Sequence, residues 1–128
     1  MSNFILLKNG IVYAPEYLGK KDILIGGNEI LDIASQISVS KDVKIDCVDL
    51  DKKWVIPGLI DSHIHIAGAG GEGGPGTRTA ELSFEKIVSS GITSVVGCLG
   101  TDGYTRRVDS VLMKAKGLKQ QGISAWIY

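Results

Sequence analysis

The sequence has no run of about 18 apolar residues, so no segment reads as a helix that crosses a membrane. It has only two cysteines, Cys47 and Cys98, too few and too far apart for a disulfide framework or a zinc knuckle. Neither sign of charge is in excess. Fourteen acidic and fourteen basic side chains cancel, which argues against a surface built to neutralise many phosphates, and no nucleic-acid partner is expected. The opening Met1-Ser2-Asn3-Phe4 lacks a basic stretch followed by an apolar one, which predicts no secretory leader and a cytoplasmic location with no membrane partner. Histidine is scarce too, with two residues in all.

What the sequence does have is glycine: 17 residues in 128, about twice the usual share. Apolar residues make up 44%, enough for a packed core and too many for a disordered chain. The length suits one ordinary domain, or roughly a third to a half of a larger enzyme.

Residues 1–54 read as a small antiparallel β unit. Two hairpins are expected, one turning at Asn9-Gly10 and one at Gly26-Gly27-Asn28. Val43 to Leu50 then alternates apolar and polar residues, so one face should be buried and one wet. From Trp54 to Asp61 the chain is almost continuously apolar, as in a strand covered on both faces. After a glycine-rich loop, Gly68 to Gly76, a helix is expected with Thr79 as N-cap and Gly91 as its stop. Ile92 to Leu99 reads as a second buried strand. Val108, Val111, Leu112, Ala115 and Leu118 share one helical face, and Gly122 ends that helix. Ile123 to Tyr128 begins a third strand. Residues 55–128 are thus strand–helix–strand–helix–strand, the order of a parallel sheet with crossover helices. Two βα units and a bare strand fall short of a closed barrel, so the chain is expected to be the N-terminal portion of a longer one.

Both histidines fall in Ser62-His63-Ile64-His65, at the carboxyl end of the first buried strand. Residues i and i+2 of a strand project to one face, so two imidazoles would point together. Two neutral ring nitrogens that close suit a divalent cation such as zinc. Ligand sites of parallel α/β folds lie at this end of the sheet. Asp61 reads either as an orienter of the pair or as the polar end of the apolar run. Gly68-Ala69-Gly70-Gly71-Glu72-Gly73 matches a dinucleotide fingerprint by letter. The mechanism of that motif needs a helix to open directly from the loop, and here Gly74-Pro75-Gly76 intervene. The loop reads either as flexible glycine backbone with a solvated glutamate or as backbone that closes around a substrate, with Glu72 facing a cationic group and Gly70 offering an amide. Thr101, in Gly100-Thr101-Asp102-Gly103, holds the equivalent rim after the second strand. Cys47, Cys98, Trp54 and Trp126 read as packing residues, with no metal partner indicated for either thiol. Arg78, Arg106 and Arg107 lie near the same rim, where solvated charge is the default reading and a contact to a substrate carboxylate the alternative.

Val55-Ile56-Pro57-Gly58-Leu59-Ile60-Asp61-Ser62-His63-Ile64-His65 resembles the first-strand motif of the metal-dependent amidohydrolase superfamily. The stretch from Gly68 to Thr79, with Gly91 to Gly97, Leu99-Gly100-Thr101-Asp102 and Gly122 to Trp126, is similar to the β-aspartyl (isoaspartyl) dipeptidases. That resemblance implies an α/β chain: a small β-sandwich-like domain over residues 1–54, then the first strands and helices of a TIM (β/α)8 barrel over 55–128. It implies His63 and His65 as metal ligands, and Glu72, Gly70 and Thr101 as residues that bind the substrate. It further implies two zinc ions bridged by a carboxylated lysine, a β-aspartyl dipeptide substrate and a homo-oligomer. The lysine, two more histidines and an aspartate that moves the proton would lie beyond Tyr128. No catalytic residue is therefore expected within these 128 residues, which alone should be inactive. Two alternatives stand beside this reading: a dihydroorotase- or deacetylase-like hydrolase, and a non-catalytic piece that binds metal weakly.

Overall fold

The computed structural model describes residues 3–102 and 104–128, in two compact units, Met1–Pro57 and Gly58–Tyr128. Gly103, the last residue of the Gly100–Gly103 rim, lies outside the described residues, as do Met1 and Ser2.

The first unit is one five-stranded sheet rather than a two-layered sandwich. Strands β1 (Phe4–Tyr13), β2 (Tyr17–Gly26) and β3 (Glu29–Ala34) pair antiparallel in sequence order. The β2–β3 hairpin turns at Gly27-Asn28, with Gly27 at φ 61°. Asn9-Gly10 is not a turn. It lies inside β1, at a slip in register between Leu7 and Gly10, and Asn9 takes φ 61° there. The positive φ that suits a tight turn here serves a bulge. Its partners explain why: the Asn9 amide donates to the buried Asp22 carboxylate at 3.0 Å, and its side chain donates to Asp49 at 3.0 Å. Burial works to raise the pKa of Asp22, but hydrogen bonds from the Asn9 and Ile37 amides outweigh it and hold the pKa low.

Strands β4 (Asp46–Asp49) and β5 (Trp54–Val55) run parallel to β1, against the antiparallel expectation. The connection over 35–45 returns the chain to the start of β1, which a tight hairpin could not do. All four β4 residues are exposed, so the alternation there buries neither Cys47 nor Val48. Trp54 is 77% exposed, not a core residue.

The second unit carries the expected order. Three parallel strands, β6 (Leu59–Ile64), β7 (Ile92–Gly97) and β8 (Ser124–Ile127), lie side by side with helices α1 (Phe84–Ser89) and α2 (Val108–Gln120) between them in sequence. The apolar run Trp54–Asp61 is not one strand. It breaks at 56–58, where Pro57 has no amide to donate and Gly58 admits no side chain: a Cβ there would stand 2.0 Å from Thr93 Oγ1. Helix α1 starts later than expected because Ser83, not Thr79, caps it, accepting from the Lys86 amide at 3.3 Å. Gly91 (φ 76°) and Gly122 (φ 103°) follow the two helices as the pattern predicts.

The core forms where Ile87 of α1 and Val111, Ala115 and Leu118 of α2 meet Val95 and Ala125 of the sheet. Val108 and Leu112, expected on that face, are 54% and 41% exposed. The alternate sheet face carries Ile60 and Trp126, 72% and 54% exposed. Strands read as doubly covered are thus covered on one face among the described residues. None of the helices there is long and apolar enough to cross a membrane.

Candidate functional site

A bulge aims the two histidines. Asp61 pairs with Val95 and Ile64 with Gly97, so three steps along β6 match two along β7. One extra residue reverses the alternation of side chains. Ile64 turns in to pack against the core, and His63 and His65 emerge together on the other side. The Asp61 carboxylate accepts from the His63 amide at 3.1 Å, satisfying backbone that the bulge takes out of the ladder. Asp61 therefore orients the pair through the main chain. The rings meet edge to face, centroids 5.5 Å apart, with His63 exposed and His65 half-buried.

Each ring is also held from a neighbouring strand. His65 Nδ1 lies 3.3 Å from Cys98 Sγ and 3.4 Å from the Cys98 carbonyl, just past the end of β7. His63 Nδ1 is hydrogen-bonded to the Tyr128 hydroxyl, just past the end of β8. Partial removal from water and the adjoining Cys98 thiol push the Tyr128 phenol above its ordinary pKa. Cys98 is buried, as expected, but it has the histidine partner that its sequence neighbours do not reveal. His63, His65 and Cys98 each offer a ligand atom within 4.8 Å of the others.

The glycine loop follows β6, and the rim carrying Thr101 follows β7. Because the strands are parallel, both leave the same edge of the sheet as the histidines. The two meet: the Glu72 carboxylate is held below its ordinary pKa by the Thr101 hydroxyl and by its own backbone amide. Gly70 sits at φ 75°, and a Cβ there would stand 2.3 Å from the Thr77 carbonyl, so only glycine fits. No helix opens from this loop; a 3₁₀ turn, Pro75–Thr77, follows it, and the dinucleotide pattern has no phosphate cradle behind it.

A polar clamp gives the loop its shape. Thr79 pairs with Ala69 through its hydroxyl and amide rather than capping α1. Arg106, expected in solvent, is 8% exposed and donates to the carbonyls of Ala69 at 2.9 Å and Thr79 at 2.6 Å. Arg78 pairs with Asp102 at 3.0 Å. Arg107 alone matches the solvated reading, exposed beside Asp109 at 3.7 Å. The Thr105 hydroxyl and amide, then the Tyr104 amide and Arg78, lower the Asp102 pKa to about 2.

A group whose pKa folding depresses adds stability above its unfolded value and loses it as pH falls through the folded one. Asp102 should therefore contribute in full above about pH 4 and nothing once pH drops below about 2. Thermal melts of Asp102→Asn should lie below those of the native protein at neutral pH, and the two should converge near pH 2.

No family model matches the sequence. Among curated proteins, the dihydroorotase of Staphylococcus aureus is 37% identical over 90 residues, 70% of this chain and 20% of that protein. Among solved structures, the β-aspartyl dipeptidase of Fervidobacterium islandicum AW-1, in complex with a β-Asp-Leu dipeptide, superposes with TM-score 0.90. It is 40% identical and matches all of this chain against 33% of its own. The chain belongs to the amidohydrolase superfamily. Its likeness within that superfamily is to the β-aspartyl dipeptidases. The fold is also shared with the L-hydantoinase of Arthrobacter aurescens, at 22% identity and TM-score 0.67. This amidohydrolase chain spans about a fifth of the length of the dihydroorotases it matches and a third of the dipeptidase.

Proposed function

We propose that the chain forms part of a zinc-dependent β-aspartyl dipeptidase, with His63 and His65 as metal ligands and Glu72, Thr101 and Gly70 at the substrate. One observation carries this reading. The histidine pair and the Glu72–Thr101 pair stand on the same edge of one parallel sheet, the edge where enzymes of barrel folds work. The donor set fits the cation: imidazoles with a thiol beside them suit zinc, whereas magnesium and calcium prefer oxygen. When bound, zinc would supply a Lewis acid for the scissile carbonyl and acidify water near neutral pH.

The chain's own residues do the positioning. Asp61 and the bulge fix the direction of the imidazoles. Glu72, ionised at neutral pH and oriented by Thr101, presents a carboxylate to a free α-amino group. In an isoaspartyl bond the α-amino and α-carboxyl groups both sit on the aspartyl carbon, so a carboxylate here selects an unblocked amino terminus. The Gly70 amide, in a turn that only glycine can make, is the remaining contact. The rest of the machinery would come from polypeptide beyond Tyr128: a carboxylated lysine bridging two zinc ions, two further histidines and an aspartate that moves the proton. Residues 1–54 would form the small domain, residues 55–128 the start of the (β/α)8 barrel, within a cytoplasmic homo-oligomer. The 128 residues alone would then be inactive.

The experiment is hydrolysis of β-Asp-Leu by the full-length protein, with and without a chelator. Release of aspartate that stops on chelation and returns with zinc is expected. A second reading, hydrolysis of a cyclic amide, rests on the 37% identity to dihydroorotase; turnover of dihydroorotate with none of β-Asp-Leu would favour it. In the dipeptidase, Glu72→Gln should raise KM for β-Asp-Leu about ten- to a hundredfold, the value of one charge-assisted contact, with a smaller change in kcat.

A further inference from the structure

We infer that the Arg78–Asp102 ion pair is a latch between the two loops of the site, and that both residues position Glu72 for the cationic group of the substrate. The inference rests on the substrate-binding reading of Glu72 above and extends it to two residues outside that contact set.

The need for a latch follows from the loop's composition. Six of the nine residues from Gly68 to Gly76 are glycine, so the free loop samples many conformations and holding one of them is costly. Glu72 and Thr101 are both exposed, and a hydrogen bond between them competes with water. That contact alone does not fix the carboxylate. The chain around it does. Arg78 Nε lies 3.0 Å from Asp102 Oδ2, with the Asp102 side chain only 9% exposed, so the pair is better shielded than the contact it supports. Asp102 directly follows Thr101 and is itself pinned, accepting from the amides of Tyr104 at 3.1 Å and Thr105 at 3.0 Å. On the other loop Gly71, directly before Glu72, donates its amide to the Thr77 hydroxyl oxygen at 3.2 Å. Gly71 also packs over the ion pair: a Cβ there would stand 3.5 Å from both Arg78 Cγ and Asp102 Cβ. Closer to the strand ends the loops touch again, where a Cβ on Gly100 would stand 2.9 Å from Ala69 Cα. Arg106 joins the two roots of the glycine loop to each other, whereas Arg78 joins that loop to its neighbour.

Steady-state kinetics of the full-length protein on β-Asp-Leu, with amide hydrogen exchange of the same samples, test it. Arg78→Met should raise KM about three- to tenfold with a smaller change in kcat. Arg78→Lys, which returns a charge to a single-pronged contact, should recover most of that loss. In a Glu72→Gln background, Arg78→Met should add less than about twofold to KM, because the latch acts through that carboxylate; a lesion that only disturbed the fold would multiply the two effects. Exchange should quicken in Arg78→Met over both loops, a readout that needs no substrate. Faster exchange in both loops, with no turnover of β-Asp-Leu by the native protein, would support the latch and overturn the dipeptidase reading. Native exchange and native KM in Arg78→Met, or a KM effect that simply multiplies with that of Glu72→Gln, would overturn the latch and leave the dipeptidase reading intact.

Discussion

Replacing both histidines, His63→Asn with His65→Asn, should strip the zinc that these imidazoles hold and abolish hydrolysis in the full-length protein while leaving its fold in place. Even the loss of a residue that only orients a ligand typically costs ten- to a hundredfold in metal affinity, and loss of ligands themselves must cost more. The expected fall in kcat/KM is on the order of a thousandfold or greater, since without the cation nothing polarises the amide carbonyl. The fold should survive because His63 is exposed and His65 only half-buried, with the hydrophobic core on the opposite face of the sheet. Metal content by mass spectrometry, set against the circular dichroism of the same sample, checks both halves. A double variant that kept the full zinc content of the native protein would remove these residues from the metal centre.

The second large effect should come from a residue with no part in the chemistry. Arg106→Met keeps much of the side-chain volume but removes the guanidinium that joins the Ala69 and Thr79 carbonyls. Two part-buried acceptors then lose a buried donor, and Asp102 loses a neighbouring charge at 4.0 Å. Deleting one member of such a network costs about 3 kcal/mol. The same change should loosen the loop that carries Glu72, so KM for β-Asp-Leu should rise even where the protein remains folded. Arg106→Lys should restore charge without the two-pronged contact, and recover only part of the loss. Denaturant melts and steady-state kinetics separate the two effects. A variant as stable as the native protein, with unchanged KM, would show that the clamp holds nothing.

How far the sequence can be read follows from the range of each signal. The strand–helix order of residues 55–128 is legible because apolar periodicity and helix-ending glycines act over a few residues, and Gly91 and Gly122 end their helices as expected. The histidine pair is legible because both residues stand on one short stretch. Its aim is not: the i, i+2 rule puts the rings together, but the bulge at Ser62-His63 decides which face receives them, and a bulge depends on the partner strand. Asn9-Gly10 fails for the same reason in reverse, since Asp22 and Asp49 turn a hairpin signal into a bulge. Cys98 and Tyr128 reach the histidines across 33 and 65 positions, distances at which no local pattern operates. Arg106 looks like surface charge until the loop closing over it supplies two carbonyls. Trp54, Trp126 and Ile60 fail in the other direction, apolar yet exposed among the described residues.

The central claim is that His63 and His65 grip a cation. Crystals of the zinc-loaded full-length protein, with data collected on either side of the zinc absorption edge, test it most directly. An anomalous peak within bonding distance of a ring nitrogen of each histidine is the result predicted here. Zinc located elsewhere in a protein that cleaves β-Asp-Leu, with both imidazoles free of metal, would contradict it.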